Sequence, residues 1–301
     1  MEKVKSVIKK ISHPIIAYFR KQTIVFHILG TILWIWTLSL VLMMLWGLSV
    51  SLMDGFEYSL NPTAIIPEKL FFENYKMAFN AIQYRVQGVK ITFMAMLTNT
   101  LWYSFGVTIL RIIATVLGAY CVAKVQFKAR LVIYYIVLFQ MLLPTYGSDV
   151  SYLLIIRKLG IYDTPGMLLA NFAGHGSWFL LMYGCFRGVS DSYAEAAKMD
   201  GANEFTVFFK VMLPFAKGMI IAMLILLLMS TWNDYQTPLL HLPSYPTLSS
   251  GLFRYKTLAG YTLDIPIYFA GLFITCIPVV TVFIIFNRTL MENMSIGGLK
   301  A

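Results

Sequence analysis

Residues 23–53 read TIVFHILGTILWIWTLSLVLMMLWGLSVSLM, with no Asp, Glu, Lys or Arg among them. A helix rises about 1.5 Å per residue, and the hydrocarbon core of a bilayer is about 30 Å thick. A helix over this run is long enough to cross it. Apolar side chains fall on all sides of such a helix, so no continuous polar stripe is left for water. In lipid the same helix closes its own backbone hydrogen bonds, which is the condition for spanning. The run is a first membrane span, and the chain is an integral membrane protein.

The remainder agrees. Of 301 residues, 58% are hydrophobic and 13% charged, against about 25% charged in a soluble domain. Further apolar runs place spans at 92–123, 131–156, 164–186, 218–231 and 265–287. The expected fold is therefore all-α, with six transmembrane helices across 23–287 and a tail over 288–301. No soluble domain, repeat array or low-complexity tract interrupts it. Residues 1–22 carry Lys3, Lys5, Lys9, Lys10, Arg20 and Lys21, with Val4, Val7, Ile8, Ile11, Ile15 and Phe19 at helical spacing. That pattern predicts a basic amphipathic helix on the inner leaflet, bent at Pro14. The stretch before Thr23 is too long for a signal n-region, and the apolar run exceeds a signal h-region. The first span is expected to remain in the mature chain.

Charge sets the orientation. With both termini inside, 15 of the 24 Lys and Arg residues are cytoplasmic and 8 lie in outer loops. The opposite topology puts the dense N-terminal cluster outside, against the positive-inside bias. Residues 54–90 and 232–264 are then outer segments, and 187–217 is a long cytoplasmic insertion between the fourth and fifth spans.

The formal charge of +10 fits that bias and calls for no nucleic acid. Cys121, Cys185 and Cys276 sit in apolar runs without metal-ligand spacing and read as buried free thiols. His13, His27, His175 and His241 are scattered and form no H-E-x-x-H, so no metal site is expected. No G-x-x-x-x-G-K-[ST] run exists. Gly174-His175-Gly176-Ser177 is no G-x-S-x-G elbow. No catalytic residue is assigned.

Charges inside spans face a bundle interior or a wet path. Arg111 and Asp149 are the two such residues, and they either pair or sit apart, with Asp149 at the outer interface. Pro144 and Gly147 mark a broken helix that lines a cavity, or a kink that serves packing. His175 faces the pore or packs between helices. Together Arg111, Pro144, Asp149 and His175 are the candidate path residues. Aromatic residues make up 15% of the chain, but the interfacial belt accounts for them, so they assign no sugar.

The insertion carries the chemistry. It reads Glu195-Ala196-Ala197-Lys198-Met199-Asp200-Gly201, then nine residues, then Val211-Met212-Leu213-Pro214. Residues 191–199 suit a short helix, and Ser192 and Glu195 fit a capping box. Ala196 and Ala197 favour helix with little bulk, and Gly201 can take a positive φ and end the helix sharply. Phe205, Phe208 and Phe209 lead into a second helix, and Pro214 starts the next membrane segment. The expected product is a helix-turn-helix knob.

This spacing resembles the EAA loop of ABC importer permeases: E-A-A, three residues, G, nine residues, I-x-L-P, with Val211 in place of Ile. Asn99-Thr100-Leu101, Ala119-Tyr120, Trp232-Asn233-Asp234-Tyr235 and the Gly-Gly-Leu-Lys-Ala ending are similar to the carbohydrate-uptake branch, maltose type, second permease. Ser190, where many members have Pro, and Arg111 depart from the pattern. The resemblance implies that Glu195, Ala196, Ala197, Asp200, Gly201, Ala202, Leu213 and Pro214 dock on and couple to an ATPase. It implies alternating access, a heterodimer with a second permease, two ATPase subunits that bind the ATP and Mg, and an extracellular solute-binding protein. In the outer segment 232–264, His241, Tyr245 and Tyr255 are the expected contacts with that binding protein. Sugar or oligosaccharide is the implied substrate. An importer of phosphate, a peptide or a metal chelate stays open as the alternative, with a membrane-embedded enzyme or scaffold less well matched.

Overall fold

The computed structural model describes residues 24–86, 88–143, 147, 149–172, 176–260 and 264–296. The expected helix over 1–22, Pro144 and His175 lie outside these residues. The chain is helical apart from one small hairpin.

Helix α1, Ile24–Ser51, covers the opening run. At 28 residues it is about 42 Å long. Its buried residues are Gly47, Val50 and Ser51, all at one end. Three hydroxyls that would otherwise meet lipid bond back to the helix: Thr31 to the His27 carbonyl at 2.8 Å, Thr37 to Leu33 at 2.8 Å and Ser39 to Trp36 at 2.7 Å. The helix therefore satisfies its own polar groups, as a lone span must. Its end is closed from the next segment: the buried Asn74 amide donates to the Ser51 and Met53 carbonyls at 3.0 and 2.7 Å.

The segment 54–90 folds into α2, Gly55–Leu60, α3, Glu73–Ala81, and an antiparallel hairpin of β1, Tyr84–Val86, and β2, Val89–Ile91. Helix α4, Phe93–Lys124, follows; Thr92 caps it by accepting from the Ala95 amide at 3.3 Å. It is the central column and buries Tyr103, Ser104, Val107, Thr108, Thr115, Val116, Ala119 and Tyr120.

The next two spans are broken. The run 131–156 holds α5, Arg130–Leu142, and α6, Asp149–Lys158. The run 164–186 begins with a 3-10 turn, Pro165–Asn171, and only then becomes α7, Gly176–Gly188. Pro165 opens the turn and Gly174 and Gly176 flank the start of α7, so the punctuation was present in the sequence. Then come α8, Ser192–Met199, α9, Glu204–Phe215, and α10, Lys217–Asn233, with a 73° bend between the last two. Two short helices, α11, Gln236–His241, and α12, Leu248–Ala259, precede α13, Ile265–Ile296.

Among the described residues, three helices (α1, α4 and α13) are long and apolar enough to cross a membrane singly, and a fourth is gained if α9 and α10 form one bent span. Span three, for which a break or a kink was expected, and span four, expected as one charge-free run, are both assembled from shorter pieces.

A core of Val116, Ala119, Tyr120, Phe179, Met182, Phe186, Phe208 and Met212 fills the knob end of the bundle, where α4, α7 and α9 meet. A second, of Ala78, Phe93, Met96, Trp232, Leu248 and Leu252, fills the opposite end. The thiols are free, but only Cys185 is even half-buried; Cys121 and Cys276 are exposed on the chain's own surface. They lie at helix positions turned away from the chain's core, which hydrophobic type alone does not reveal.

Candidate coupling site and outer segment

Helix α8 has no fully buried residue: Ala194 and Ala197 are half-covered on the side that packs against the core, and its other positions are exposed. It ends in a Schellman motif: the Gly201 amide donates to the Lys198 carbonyl at 3.0 Å and the Ala202 amide to Ala197 at 2.9 Å. That closure needs a left-handed residue between them, and Gly201 supplies it at φ 87°. Nothing lies within 4 Å of where a Gly201 Cβ would stand. Asn203 starts α9 by accepting from the Thr206 amide at 2.8 Å. Lys198 and Glu204 pair across the turn at 2.6 Å, both largely in solvent, and the carboxylate raises the lysine's pKa.

The start of α8 differs from expectation. The Ser192 and Glu195 capping box does not form; Asp191 occupies the cap position without a side-chain cap bond. Its carboxylate is engaged elsewhere. Lys124, the last residue of α4, donates to Asp191 Oδ1 at 2.6 Å and to the Val189 carbonyl at 2.5 Å. Ser190 Oγ accepts from the Ser192 amide at 3.3 Å in place of the box. The hydrogen bond and charge of Lys124 hold the Asp191 carboxyl below its usual range.

Helix α9 passes through a π turn, Val207–Met212, in which the Leu213 amide reaches the Phe208 carbonyl. Pro214 follows, and its ring would collide with the carbonyl at 210 in a regular helix; a wider turn relieves that. The turn drives Phe208 into the core, where its ring meets Tyr120 at 4.7 Å and Tyr120 meets Phe186 at 5.5 Å. The knob's second helix is thus keyed into α4 and α7. Its outer face is bare: Met199 is 89% exposed and Phe205 76%. Glu195, Ala196, Asp200, Gly201 and Pro214 are exposed, and Ala197, Ala202 and Leu213 half-buried. Two exposed apolar residues thus lie beside small ones on the knob's surface.

Of the candidate path residues, Arg111 and Asp149 are described, and these two are not brought together. Arg111 donates to Asn171 Oδ1 at 2.9 Å, and the Asn171 amide is in turn spent on the Met167 carbonyl at 3.2 Å. Arg111 does not pair with Asp149, which is exposed at the start of α6. Neutral Asn171, 6% exposed, is the partner that charge counting overlooked; it is the polar break in the apolar run before α7.

The segment 232–264 is no loose connector. Asn99 donates to the Pro246 carbonyl at 3.0 Å, and Thr100 accepts from the Leu248 amide at 2.8 Å. Tyr103 donates to Asp234 Oδ2 at 3.1 Å, and the Trp232 indole donates to the Thr275 carbonyl at 3.1 Å. Asp163, at φ 55°, accepts from the Ser244 amide and hydroxyl at 2.8 and 2.7 Å. Its own amide donates to the His241 carbonyl at 3.0 Å. His241 itself is 5% exposed, packed on Tyr152. Little of its ring is left on the chain's own surface. Tyr245 rests edge-on against Trp102 at 5.9 Å, and Tyr255 is half-buried. No group of three His, Cys, Asp or Glu residues stands ready for a metal among the described residues.

Residues 114–294 match the model of the binding-protein-dependent transport system inner membrane component family. The diacetylchitobiose uptake system permease protein of Streptomyces coelicolor is 28% identical over 274 residues, 88% of this chain and 86% of that one. The arabinooligosaccharides transport system permease protein of Halalkalibacterium halodurans is 30% identical over 206 residues, 67% and 72%. Among solved structures, a chain of a bacterial ABC transporter that imports the acidic polysaccharide alginate superposes with a TM-score of 0.72 at 23% identity. It covers 88% of this chain and 96% of that one. The likeness extends to the fold.

Proposed function

The chain belongs to the binding-protein-dependent transport system inner membrane component family, and on that premise we propose that it is the second permease of a carbohydrate importer. As a permease subunit it is a membrane protein and a transport component, working with ATPase and solute-binding partners. The finer assignments rest on this chain's own features.

The knob at 191–215 is the ATPase docking element. The observation that carries this is the union of exposure and rigidity: α8 has no fully buried residue, while the knob is fixed at its start by Lys124 and in its second helix by the Phe208–Tyr120 contact. A displacement of Glu195, Ala196 or Gly201 therefore moves α4 and α7 with it. Two ATPases bind the ATP and Mg, and their closure draws the knobs of two paired permeases together and opens the path outward. Both termini are cytoplasmic, six spans are counted with the broken ones as single crossings, and 232–264 faces the binding protein. The substrate is a sugar or oligosaccharide, which the named functions of the relatives support.

The test is reconstitution with the second permease, the ATPases and the binding protein in proteoliposomes. ATP-driven uptake of an oligosaccharide held by the binding protein is the expected result. A binding protein that holds phosphate, a peptide or a metal chelate instead would overturn the substrate class while leaving the permease role.

A further inference from the structure

A cavity of about 420 Å³ lies among α10, α12 and α13, at their ends away from the knob. On one wall the Tyr235 and Phe253 rings stack at 4.6 Å, inclined by 20°. Both are partly open, 42% and 38% exposed. Asn233, Ser249, Lys256, Thr257, Tyr268 and Thr275 complete the polar and aromatic lining. Thr275 stands about ten residues into α13, about 15 Å along its axis and about half of the hydrocarbon thickness.

The charge on the lining decides what the cavity faces. Lys256 is its one charged lining residue, and it takes part in none of the ion pairs among the described residues. An ammonium beside an amide and hydroxyls is costly against lipid, so this wall faces water or protein. The hydroxyls lean one way in their chemistry. Thr275 donates to the Gly271 carbonyl at 2.9 Å and Ser249, also on the lining, to Trp232 at 2.6 Å. Their protons are spent and their lone pairs remain. Acceptors, a cationic donor and a flat aromatic platform suit a ligand with many hydroxyls and a flat apolar ring face. The volume lies within the ordinary range of small-molecule sites.

We propose that this cavity is a saccharide-contacting stretch of the translocation path contributed by this subunit. A sugar ring lies on the Tyr235–Phe253 platform and Lys256 donates to its ring or carboxylate oxygens. The inference rests on the carbohydrate reading above, and the experiment separates the two.

Cys276 lines the same cavity and serves as a native reporter. In the complete transporter with Cys121 and Cys185 replaced by Ala, Cys276 is labelled with a membrane-impermeant methanethiosulfonate from the outer side during ATP-driven cycling. Diacetylchitobiose, maltotriose, arabinotriose and an alginate trisaccharide, each with binding protein, are the probes. Labelling slowed at least threefold by a saccharide that the binding protein holds is expected. Tyr235→Ala and Phe253→Ala should cut uptake of that saccharide at least tenfold, with ATPase stimulation kept within twofold; Tyr235→Phe should restore uptake. Labelling only by a lipophilic maleimide places lipid at the wall, and no labelling by either places the partner permease there; both overturn the proposal. So does unchanged uptake in both alanine variants, or a joint loss of uptake and stimulation that Tyr235→Phe does not rescue. A binding protein that holds none of the four saccharides overturns the carbohydrate reading instead, while impermeant labelling still reports whether the cavity is wet.

Discussion

Lys124 Nζ stands 2.6 Å from Asp191 Oδ1, joining the last residue of the central helix to the first residue before the knob. The two ends of this bond are unlike: the lysine side chain is 8% exposed and the aspartate 74%. Lys124 also holds the Val189 carbonyl, so it keeps a partner if Asp191 is lost, whereas the reverse is not true.

Lys124→Met should therefore lower stability by about 1–3 kcal/mol, the range for hydrogen bonds to a charged group. Asp191→Asn should cost about 1 kcal/mol or less, as for a solvated ion pair. Melting curves of the purified complex check the order. The ratio of uptake to ATP hydrolysis should fall in Lys124→Met and stay near normal in Asp191→Asn. The Asp191 carboxyl is held below its ordinary value near 3.9. Its contribution is then complete above about pH 4 and lost only as pH falls through the lower folded value. Coupling between pH 6 and 8 should show no step from this pair.

Gly201 offers a way to separate backbone from docking. A Cβ there meets nothing within the chain, so Gly201→Ala should lose only the left-handed penalty, about 1–2 kcal/mol. Gly201→Asn should lose less, since Asn visits that conformation more readily. Gly201→Asp should abolish uptake at normal membrane insertion, and ATPase pulldown should weaken. Full uptake in Gly201→Asp at normal expression would show that no partner approaches this turn.

Arg111 and Asn171 should behave as a unit. Asn171→Leu takes away the acceptor from a guanidinium inside a span and should cost about 2–3 kcal/mol. Arg111→Met with Asn171→Leu should recover part of that loss. A double-mutant cycle on thermal stability measures the coupling; additive effects would mean that the contact at 2.9 Å carries no energy.

His241 sets a pH limit. Burial pushes its imidazole below the usual range, outweighing the pull of the Asp149 and Asp234 carboxylates. Its Nδ1 has no hydrogen-bond partner. A lowered value means that the unfolded chain takes up the proton first. Stability is then full above about pH 6.5 and falls as pH drops below it. Melting temperature should decline between pH 7.5 and 5.5, and His241→Phe should flatten that decline while keeping the ring packed on Tyr152.

What could be read from the sequence was local. The apolar runs match α1 and α4 nearly to their ends and the start of α13, which continues to Ile296 through part of the expected tail, and the spacing from Glu195 to Pro214 matches a helix, a turn at Gly201 and a second helix. The misses were non-local. Lys124, Asn171 and Asp163 belong to no motif in the sequence. Each acquires its role from a partner about 60 to 80 residues away, and no periodicity registers that. His241 is similar: its ring packs on Tyr152, about 90 residues earlier in the chain, in a segment that Asn99 and Thr100 tether.

The back-bonded hydroxyls of α1 have a consequence for biogenesis. Beyond its corner at Ser51, α1 finds its main packing against α13, where Trp46 meets Phe269. More than 200 residues separate those two rings, and a ribosome adds about 5–20 residues per second. The first helix made thus waits roughly 10–40 s in the bilayer for the last one. Throughout that interval the part of it before the Ser51 corner lacks its main packing partner within this chain. A helix that keeps Thr31, Thr37 and Ser39 satisfied internally can wait without exposing a polar group for quality-control proteases or stray helices to seize.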